Sequence, residues 1–594
     1  MIQVPQLPDN APFDESQRQW LNGYLAGLLA RSVTLDFTTA GAPAAPAVAA
    51  EPLLIAFGSQ TGTAEGLARK VAKAAKAKHF APEVICLESL ASPDFVKHSN
   101  VLLITSTYGD GEPPDNAAAF WDFLSNADAP RLEKTRFSVL ALGDTNYEKF
   151  CAFGQACDRR LEELGAHRVA ARVDCDLDYD APFATWTESA LAALNGGSHT
   201  VSEAPAPASP VAEPEPKETF PAYGRKNPFL ARLITNHLLN APGSGKEVRH
   251  FEICLANSGL VYEVGDALGV VPSNCPELVS DIIGALRLTG EEFVPVAADY
   301  LTIRESLTHS FDLSKPGKEL LAALAKSTAD GNLVPLLAAD RAHDLQSYLY
   351  GRDVLDMLLE HPSFRPTPTE FVRLLKTLQP RLYSISSSLK AHPEEVHLTV
   401  AAVRYTSHGR GRKGVCSTFL AERCLADTPL PVYVHNSPGF RVPKDSTAPM
   451  IMIGPGTGIA PFRAFLEERA ATAAPGKNWL FFGDQKRSSD FYYEEQLADY
   501  LKKGLLTRLD TAFSRDQAEK IYVQHRMLEQ GAEFWKWLEE GGHIYVCGDA
   551  SRMAKDVDNA LRQIIQTHGS RDTEAADAYV NQLKQQKRYQ RDVY

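Results

Sequence analysis

Apolar residues along this chain recur with two different spacings, which predict an ordered series of strands and helices. Continuous apolar runs predict buried strands at 53–57, 101–105 and 137–142. Helical spacing between those runs predicts helices at 63–78, 115–125 and 153–164. Strands that alternate with helices are typical of a doubly wound parallel sheet, so we expect one α/β domain here.

Two linkers and a change of pattern divide the rest of the chain. Residues 38–52 are rich in Ala and Pro, and residues 202–218 are rich in Pro and Glu, so neither stretch could bury a core. Later strand signals lie at 248–255, 396–405 and 431–435, around a helical block at about 275–380. The α/β alternation then returns. The predicted segments are 1–50, 51–197, 198–225, 226–445 and 446–594.

The first segment carries a helix-like stretch with one apolar face. Its apolar residues at helical spacing are Trp20, Leu21, Tyr24, Leu25, Leu28 and Leu29. A lone helix of this length is marginal in water, so the apolar face needs something to pack against. We expect self-association through this segment, which would make the protein a homo-oligomer. Folding back onto the neighbouring domain is the alternative.

Composition and charge exclude several classes of protein. The chain is 44% hydrophobic and 23% charged, as in ordinary folded proteins, and its net charge of −13 disfavours nucleic acid as a partner. Its nine cysteines include no C-x-x-C pair, which argues against a disulfide framework, a zinc site or a cysteine-held cluster. No metal is expected. No apolar run reaches the roughly 18 residues of a membrane span, so we expect a cytoplasmic location.

Three loops follow the three predicted strands of the first domain, at the edge where open α/β sheets bind ligands. The first loop offers hydroxyls and glycines without Lys or Arg, which fits a phosphate monoester held by neutral donors. The other two carry Tyr108 and Tyr147, whose rings could flank a flat heterocycle. The candidate residues are Ser59, Gln60, Thr61, Gly62, Thr63, Ala64, Ser106, Thr107, Tyr108, Gly109, Leu142, Gly143, Asp144, Tyr147, Phe150 and Cys151.

A further candidate ligand-binding loop lies at the start of the last domain. The apolar run "MIMI" ends in the glycine-bearing "GPGTG", which contains Gly456 and Thr457, and a helix pattern follows. Glycines there allow close approach of a dinucleotide, and the helix N-terminus favours its negative charge.

These motifs resemble those of the diflavin reductase family. The first domain is similar to flavodoxin, and "RLYS" at 381–384 resembles a strand of ferredoxin-NADP reductase-like enzymes. Six loop motifs follow the family's order over roughly 51–594. The resemblance implies an α/β multidomain fold: a flavodoxin-like domain, an antiparallel β-barrel FAD domain with a helical insertion, and an α/β NADP-binding domain. The implied cofactors are FMN, FAD and NADPH.

The resemblance also implies roles for the flavin-binding residues. The first loop would hold the FMN phosphate, and the two tyrosine loops would flank the isoalloxazine. Arg381 would pair with the FAD pyrophosphate, Tyr383 would lie along the flavin, and Ser384 would offer its hydroxyl to the reactive flavin nitrogen. The implied FAD residues are Arg381, Leu382, Tyr383, Ser384, Thr399, Val400, Ala401, Tyr405, Gly414, Val415, Cys416, Ser417 and Tyr594.

In the same way, the resemblance implies how the nicotinamide cofactor binds. A hydroxyl, two cations and a tyrosine would bind the 2′-phosphate that distinguishes NADPH from NADH. The implied residues are Gly456, Thr457, Ser514, Arg515, Lys520, Tyr522, Gln524 and Asp556. Tyr594 would stack on the FAD face until nicotinamide displaces it. Without the resemblance, the default expectation would be a frayed C-terminal tail. The implied catalytic set is Ser384, Cys547, Asp592 and Tyr594; without the resemblance, Cys547 would be only a small buried apolar residue.

The expected activity is that of an NADPH-dependent flavoprotein oxidoreductase. Electrons would pass from NADPH to FAD, then to FMN, and on to a separate haem-bearing subunit. Two alternatives stay open: a soluble diflavin reductase that serves another haem or cobalamin protein, and a scaffold whose flavin domains no longer act.

Overall fold

The computed structural model describes most of the chain beyond the N-terminal segment. The described residues are 50–59, 62–90, 93–108, 111–143, 149–176, 179–195, 223–297, 299–327, 333–338, 341–425 and 428–594. The stretch predicted to self-associate and the Pro/Glu-rich linker lie outside these ranges. Five predicted loop residues also lie outside them: Gln60, Thr61, Gly109, Asp144 and Tyr147.

The first domain is a sheet with helices between its strands. Its strands are β1 Glu51–Gly58, β2 Phe80–Cys86, β3 Asn100–Ser106, β4 Arg136–Leu142, β5 His167–Arg168 and β6 Val173–Cys175. Their order is β2-β1-β3-β4-β5, with β6 also paired to β4, and β3 runs parallel to both β1 and β4. Leu53 to Ala56 are at most 1% exposed, because both faces of a parallel sheet are covered. The helices are α1 Thr63–Ala77, α2 Ala118–Ser125, α3 Ala152–Glu163 and α4 Asp180–Leu194, with 3₁₀ turns at Leu87–Leu90, Pro93–Lys97 and Asp115–Ala117.

The FAD domain is built on an antiparallel sheet. Its strands are β7 Phe229–Leu238, β8 Val248–Cys254, β9 Ala267–Val270, β12 Arg381–Ser384, β13 Glu395–Ala401 and β16 Leu430–His435, in the order β12-β9-β16-β7-β8-β13. A bridge between Ile385 and Leu398 joins the two ends of this sheet, so it closes into the predicted barrel. The strand predicted at 396–405 is in fact two, because the chain leaves β13 and starts the hairpin β14 Arg404–Ser407 with β15 Arg410–Lys413. The short helix α12 Val415–Thr418 and a π-helical turn at Phe419–Arg423 follow.

The helical insertion interrupts the barrel between β9 and β12. Its helices are α5 Pro276–Leu286, α6 Ile303–His309, α7 Lys318–Ser327, α8 Leu333–Leu336, α9 Ala342–Leu349, α10 Val354–Glu360 and α11 Pro368–Arg373. A hairpin of β10 Phe293–Val296 and β11 Asp299–Thr302 also lies inside this block. The sequence pattern predicts only helices here, so the hairpin is a correction.

The last domain is a parallel sheet at the C-terminal end of the chain. Its strands are β17 Met450–Ile453, β18 Asn478–Asp484, β19 Arg508–Phe513, β20 His543–Gly548 and β21 Tyr589–Val593, in the order β19-β18-β17-β20-β21. A 3₁₀ turn at Gly456–Ile459 follows β17. The helices are α13 Ala460–Ala471, α14 Arg487–Asp490, α15 Glu494–Lys502, α16 Val523–Glu529, α17 Gly531–Glu539, α18 Met553–His568 and α19 Thr573–Gln585.

Candidate active site

Strand β21 brings together three of the residues predicted to be catalytic. It pairs with β20 in a register that sets Asp592 opposite Cys547. The hydroxyl of Ser384, at the end of β12, donates a 2.6 Å hydrogen bond to Oδ2 of Asp592. The thiol of Cys547 donates to the same oxygen over 3.7 Å. One carboxylate oxygen therefore joins the FAD barrel to the last domain.

Burial controls the protonation of these three residues. Burial raises the pKa of the Cys547 thiol well above its ordinary value, and the neighbouring Asp592 carboxylate raises it further. Burial also raises the pKa of Asp592, although hydrogen bonds from Ser384 and Cys547 lower it in part. The thiol therefore stays protonated at neutral pH. Both the O–H of Ser384 and the S–H of Cys547 point at the Asp592 carboxyl group, with Cys547 buried and the other two residues half-buried.

Tyr594 follows β21, and the sheet orders its backbone. Its N–H donates to the carbonyl oxygen of Gly548, and its own carbonyl accepts from the N–H of Ala550, both over 3.1 Å. Its hydroxyl lies 2.9 Å from Oγ1 of Thr457 in the glycine loop. The side chain nevertheless stays 47% exposed. An ordered backbone with a half-exposed ring is suited to cover a flat group.

The predicted phosphate loop opens helix α1. Gly62 precedes the helix with a φ of +86°, a conformation that favours glycine. The hydroxyl oxygen of Ser59 accepts hydrogen bonds from the N–H groups of Gly62, at 2.9 Å, and Ala64, at 3.2 Å. N–H groups at a helix N-terminus bind phosphate favourably, so this loop fits the phosphate of FMN.

The second and third loops leave the ends of β3 and β4. The hydroxyl of Ser106 is buried and has no hydrogen-bond partner among the described residues. A Cβ atom at Gly143 would lie 2.8 Å from the backbone nitrogen of Cys151 and 2.9 Å from the ring of Phe150, so only glycine fits there. A buried hydroxyl without a partner at this edge of the sheet fits a ligand that supplies one.

Part of the predicted FAD site is open in the structure. Leu382 is 47% exposed and Tyr405 is 53% exposed, which is high for such side chains beside a barrel core. The guanidinium of Arg381 donates to the carbonyl oxygen of Gln379 at 2.8 Å, and its ion pair with Asp312 is long, at 3.8 Å. An arginine has five N–H donors, so several remain for a pyrophosphate. These features fit FAD.

Other predicted FAD residues direct their side chains elsewhere. Val400 and Cys416 are buried in the barrel core, so they could contact a cofactor only through their backbone. Oγ1 of Thr399 lies 2.6 Å from the hydroxyl of Tyr493. The hydroxyl of Tyr383 is buried beside Cys416; burial, with Cys416 as the next cause, raises the pKa of Tyr383 well above its ordinary value. The contacts of these residues with FAD stay predictions.

A cavity of about 440 Å³ lies beside the glycine loop of the last domain. Five predicted NADPH residues line it: Gly456, Ser514, Tyr522, Gln524 and Asp556. The side-chain amide of Gln524 donates to Asp556 over 3.0 Å. The predicted cations Arg515 and Lys520 are exposed and do not line the cavity. The cavity and its polar lining fit a dinucleotide.

Sequence reasoning missed several residues of this cavity. Lys246 comes from the turn between β7 and β8 in the FAD domain, and its ammonium lies 2.6 Å from the buried carboxylate of Asp484. No local pattern could have placed it there, because the two residues are 238 positions apart. Arg552 also lines the cavity, directly before α18. A basic residue where a strand turns into a long helix is a signal that could have been used.

Comparison with known proteins identifies all three domains. Residues 55–186 match the family model "Flavodoxin", residues 221–419 match "FAD binding domain", and residues 452–559 match "Oxidoreductase NAD-binding domain". The chain is 47% identical to the sulfite reductase (NADPH) flavoprotein alpha-component of Bacillus subtilis, over 98% of this chain and 96% of the relative. The proteins of the same description from Vibrio parahaemolyticus and Klebsiella pneumoniae are each 42% identical, over 97% and 98% of this chain and 92% and 96% of theirs. The chain belongs to this family.

Membership of the NADPH sulfite reductase flavoprotein family confirms several predictions. These are the α/β multidomain fold class, the enzyme class of NADPH-dependent flavoprotein oxidoreductase, and the cofactors FMN, FAD and NADPH. The domain boundaries, the roles of individual residues and the cytoplasmic location stay predictions. Within the described ranges, no helix has the length and apolarity needed to cross a membrane.

Proposed function

We propose that this protein transfers electrons from NADPH through FAD and FMN to the haemoprotein subunit of an assimilatory sulfite reductase. The observation that carries the proposal is the position of Asp592, which contacts Ser384 of the FAD domain and Cys547 of the last domain. The proposed acceptor rests on the relatives, which are named as flavoprotein components of NADPH sulfite reductases. When bound, the flavins accept a hydride from NADPH and pass single electrons onward.

In this proposal the protein orients the cofactors and controls proton positions. Ser384 would lie at the flavin edge, where the Asp592 carboxyl group holds its hydroxyl and also accepts from the thiol of Cys547. Tyr594 covers the flavin face until nicotinamide takes its place. The phosphate loop at Ser59 and the guanidinium of Arg381 hold the two flavin phosphate groups.

Anaerobic electron transfer to purified acceptors tests the proposed function. The purified chain should contain FMN and FAD in equal amounts, and NADPH should bleach both. Adding the haemoprotein subunit of a sulfite reductase should then reduce its haem, followed by visible absorbance. Bleached flavins that reduce a different haem or cobalamin protein, but not this subunit, would support the alternative acceptor instead.

The exposed cations Arg515 and Lys520 give a prediction about cofactor choice. Within the described part of the chain, the exposed Arg515 side chain pairs with no carboxylate, so it is available to the 2′-phosphate of NADPH. Losing one charge-assisted contact typically weakens binding by about 10- to 100-fold. Arg515→Ala should raise KM for NADPH by that order and change KM for NADH little. The control is Lys503→Ala, which removes an exposed cation paired with Asp499 and should change neither. An equal loss for both cofactors in the Arg515 variant would contradict the assignment.

We also propose that the protein self-associates through residues 1–35. The support is the apolar face read from the sequence, since these residues lie outside the described ranges. Light scattering on a chain that lacks residues 1–50 tests it: the deletion should convert an oligomer into a monomer that still oxidises NADPH. An unchanged mass would rule out this role.

A further inference from the structure

The second flavin loop of the first domain contacts strand β21 directly. The hydroxyl of Tyr108 donates a 2.9 Å hydrogen bond to the carbonyl oxygen of Arg591. The same hydroxyl accepts a 3.2 Å hydrogen bond from the N–H of Val593. Arg591 and Val593 are the two neighbours of Asp592. A single phenol group thus links the predicted FMN loop to the strand that carries the catalytic carboxyl group.

These two backbone groups lie on the open side of an edge strand. β21 is the last strand of its sheet, and its only neighbour there is β20. Backbone groups alternate between the two sides of a strand, and the N–H of Tyr594 bonds toward Gly548 of β20. The carbonyl of Arg591 and the N–H of Val593 therefore point outward. A tyrosine hydroxyl is both donor and acceptor, so it satisfies both groups at once.

The loop that carries Tyr108 is also held through the side chain of Arg591. Tyr108 and Glu112 close the loop by exchanging backbone hydrogen bonds of 2.9 and 2.8 Å. The guanidinium carbon of Arg591 lies 5.4 Å from the centroid of the Tyr108 ring, within cation–π range. Its Nη1 lies 3.7 Å from a carboxylate oxygen of Glu112. One residue of β21 thus contacts both ends of the closed loop.

We propose that the Tyr108 hydroxyl is a positioning group that docks the FMN loop on β21 for electron transfer between the flavins. This inference rests on the proposed function, because it assumes FMN at this loop and FAD at Ser384. The proposed contact links the FMN loop directly to β21, the strand that holds Asp592 against Ser384.

The docked contact is weak enough to release. When the loop leaves, the two outward groups of β21 can bond to water, so each hydrogen bond has a modest net effect, roughly 2- to 12-fold in population. In the docked arrangement, the phosphate loop of the first domain faces the other domains. Ser59 and Gly62 line a cavity of about 210 Å³ together with Pro438 and Tyr589. A separate haemoprotein could not enter that space.

The decisive variant is Tyr108→Phe in the flavin-loaded full chain, because it removes the hydroxyl and keeps the ring. Stopped-flow absorbance gives two rates in one trace, FAD reduction by NADPH and FMN reduction by FAD. We expect the ratio of the second rate to the first to fall by about 4-fold or more, as docking loses two hydrogen bonds of roughly 2- to 12-fold each. Hydrogen exchange should also become faster in the C-terminal peptide, because the N–H of Val593 loses its partner.

Glu112→Gln is the matched second variant, since it removes the charge that faces Arg591 and lies outside the predicted flavin-binding residues. It should lower the ratio by a smaller factor, leave flavin reduction by NADPH unchanged, and make the ratio less sensitive to salt. The proposal is overturned if Tyr108→Phe keeps the wild-type ratio and wild-type exchange. It is also overturned if that variant simply loses FMN, measured by flavin chromatography. Failure of the wild-type chain to bind both flavins would instead overturn the proposed function.

Discussion

At the scale of single residues, Asp592 is a carboxyl group whose ionisation the fold disfavours. Burial raises its pKa above that of an exposed aspartate. The stability linked to this group is therefore fully present below the pKa of Asp592 in the unfolded chain, near 3.9. It is lost as the pH rises through the higher pKa of Asp592 in the folded protein. Above the unfolded pKa, this group therefore lowers the free energy of unfolding.

Asp592→Asn should therefore raise the stability of the protein at pH 7, because it removes the group whose ionisation burial disfavours. The difference from wild type should disappear below about pH 4, where the aspartate is protonated in both states. Urea midpoints of the last domain at the two pH values measure this. Flavin reduction by NADPH should become slower in the same variant.

The control is Asp499→Asn on α15, an exposed carboxylate paired with Lys503. Its midpoint should stay close to wild type at both pH values, because exposed ion pairs contribute little. The difference in midpoint between Asp592→Asn and wild type should be larger at pH 7 than at pH 4. Equal differences at the two pH values would show that burial does not disfavour the ionisation of Asp592.

At the scale of elements, a buried ion-pair cluster fixes the β14–β15 hairpin to helix α10. The guanidinium of Arg412 contacts Asp353 and Asp356 at 2.5 Å, and Arg410 contacts the same two carboxylates at 2.9 and 2.7 Å. Asp353 and Asp356 also cap the start of α10 reciprocally. This hairpin carries Tyr405 and leads into α12, so the cluster positions part of the predicted FAD site.

Arg412→Met should loosen the hairpin and release FAD more readily. Breaking a buried ion pair typically costs about 3–5 kcal/mol, and we expect a loss toward the lower end because Arg410 still pairs with both carboxylates. Urea titration followed by FAD fluorescence measures the unfolding step that frees the cofactor. Arg404→Met on the same hairpin is the control, since its ion pair with Glu247 is partly exposed and should contribute under about 1 kcal/mol. Equal losses in the two variants would contradict this role for the cluster.

The sequence predicted those elements whose own residues dictate them. β1, β3 and β4 are continuous apolar runs because both of their faces are buried, and α1 follows a glycine that sets its start. β21, "YQRDV", has no apolar alternation, since its position is decided by pairing with β20 and by contacts from distant residues. Motifs likewise identified Ser384, Cys547 and Asp592 one by one. The contact of Ser384 and Cys547 with the same Asp592 oxygen could not be predicted, because Ser384 and Asp592 are 208 positions apart and no local spacing encodes that contact.

At the scale of the whole molecule, the FAD barrel and the last domain meet across a cluster of neutral histidines. The rings of His250 and His397 lie 5.1 Å apart, and the Nδ1 atom of His250 lies 2.9 Å from the hydroxyl of Tyr493. Glu252 and these two histidines place possible metal-ligand atoms within 4.8 Å of one another. However, the guanidinium of Arg463 lies 3.3 Å from the Nδ1 atom of His397. Its positive charge opposes a bound cation, so we assign no metal.

This cluster should make the joined domains acid-sensitive. Burial, and next the charge of Arg463, lowers the pKa of both His250 and His397 to about 3. The unfolded chain protonates each near pH 6.5, so it binds more protons than the folded protein below that value. Stability should therefore fall as the pH drops from about 6.5 toward 3, by up to about 2.7 kcal/mol per pH unit for the two residues. The groups that surround the pair are His237, Glu252, His392, Glu395, Arg463, Glu467 and Tyr493.

Denaturation midpoints between pH 8 and pH 5 measure this dependence. A double variant, His250→Gln with His397→Gln, should flatten the profile below pH 6.5. His309→Gln changes an exposed histidine of the helical insertion and should leave the slope as in wild type. A double variant with the wild-type slope would assign the acid sensitivity to other groups.

Side chains along β21 alternate between two faces, and this alternation limits changes in the length of the strand. The side chains of Asp592 and Tyr594 contact Ser384 and Thr457, whereas the side chain of Arg591 contacts the loop of Tyr108. Because side chains alternate along a strand, inserting or deleting one residue inside β21, between Tyr589 and Arg591, would exchange these two sets if the start of the strand keeps its pairing with β20. A single-codon insertion or deletion there would remove the contact of Asp592 with Ser384 and the contact of Arg591 with the Tyr108 loop in one event.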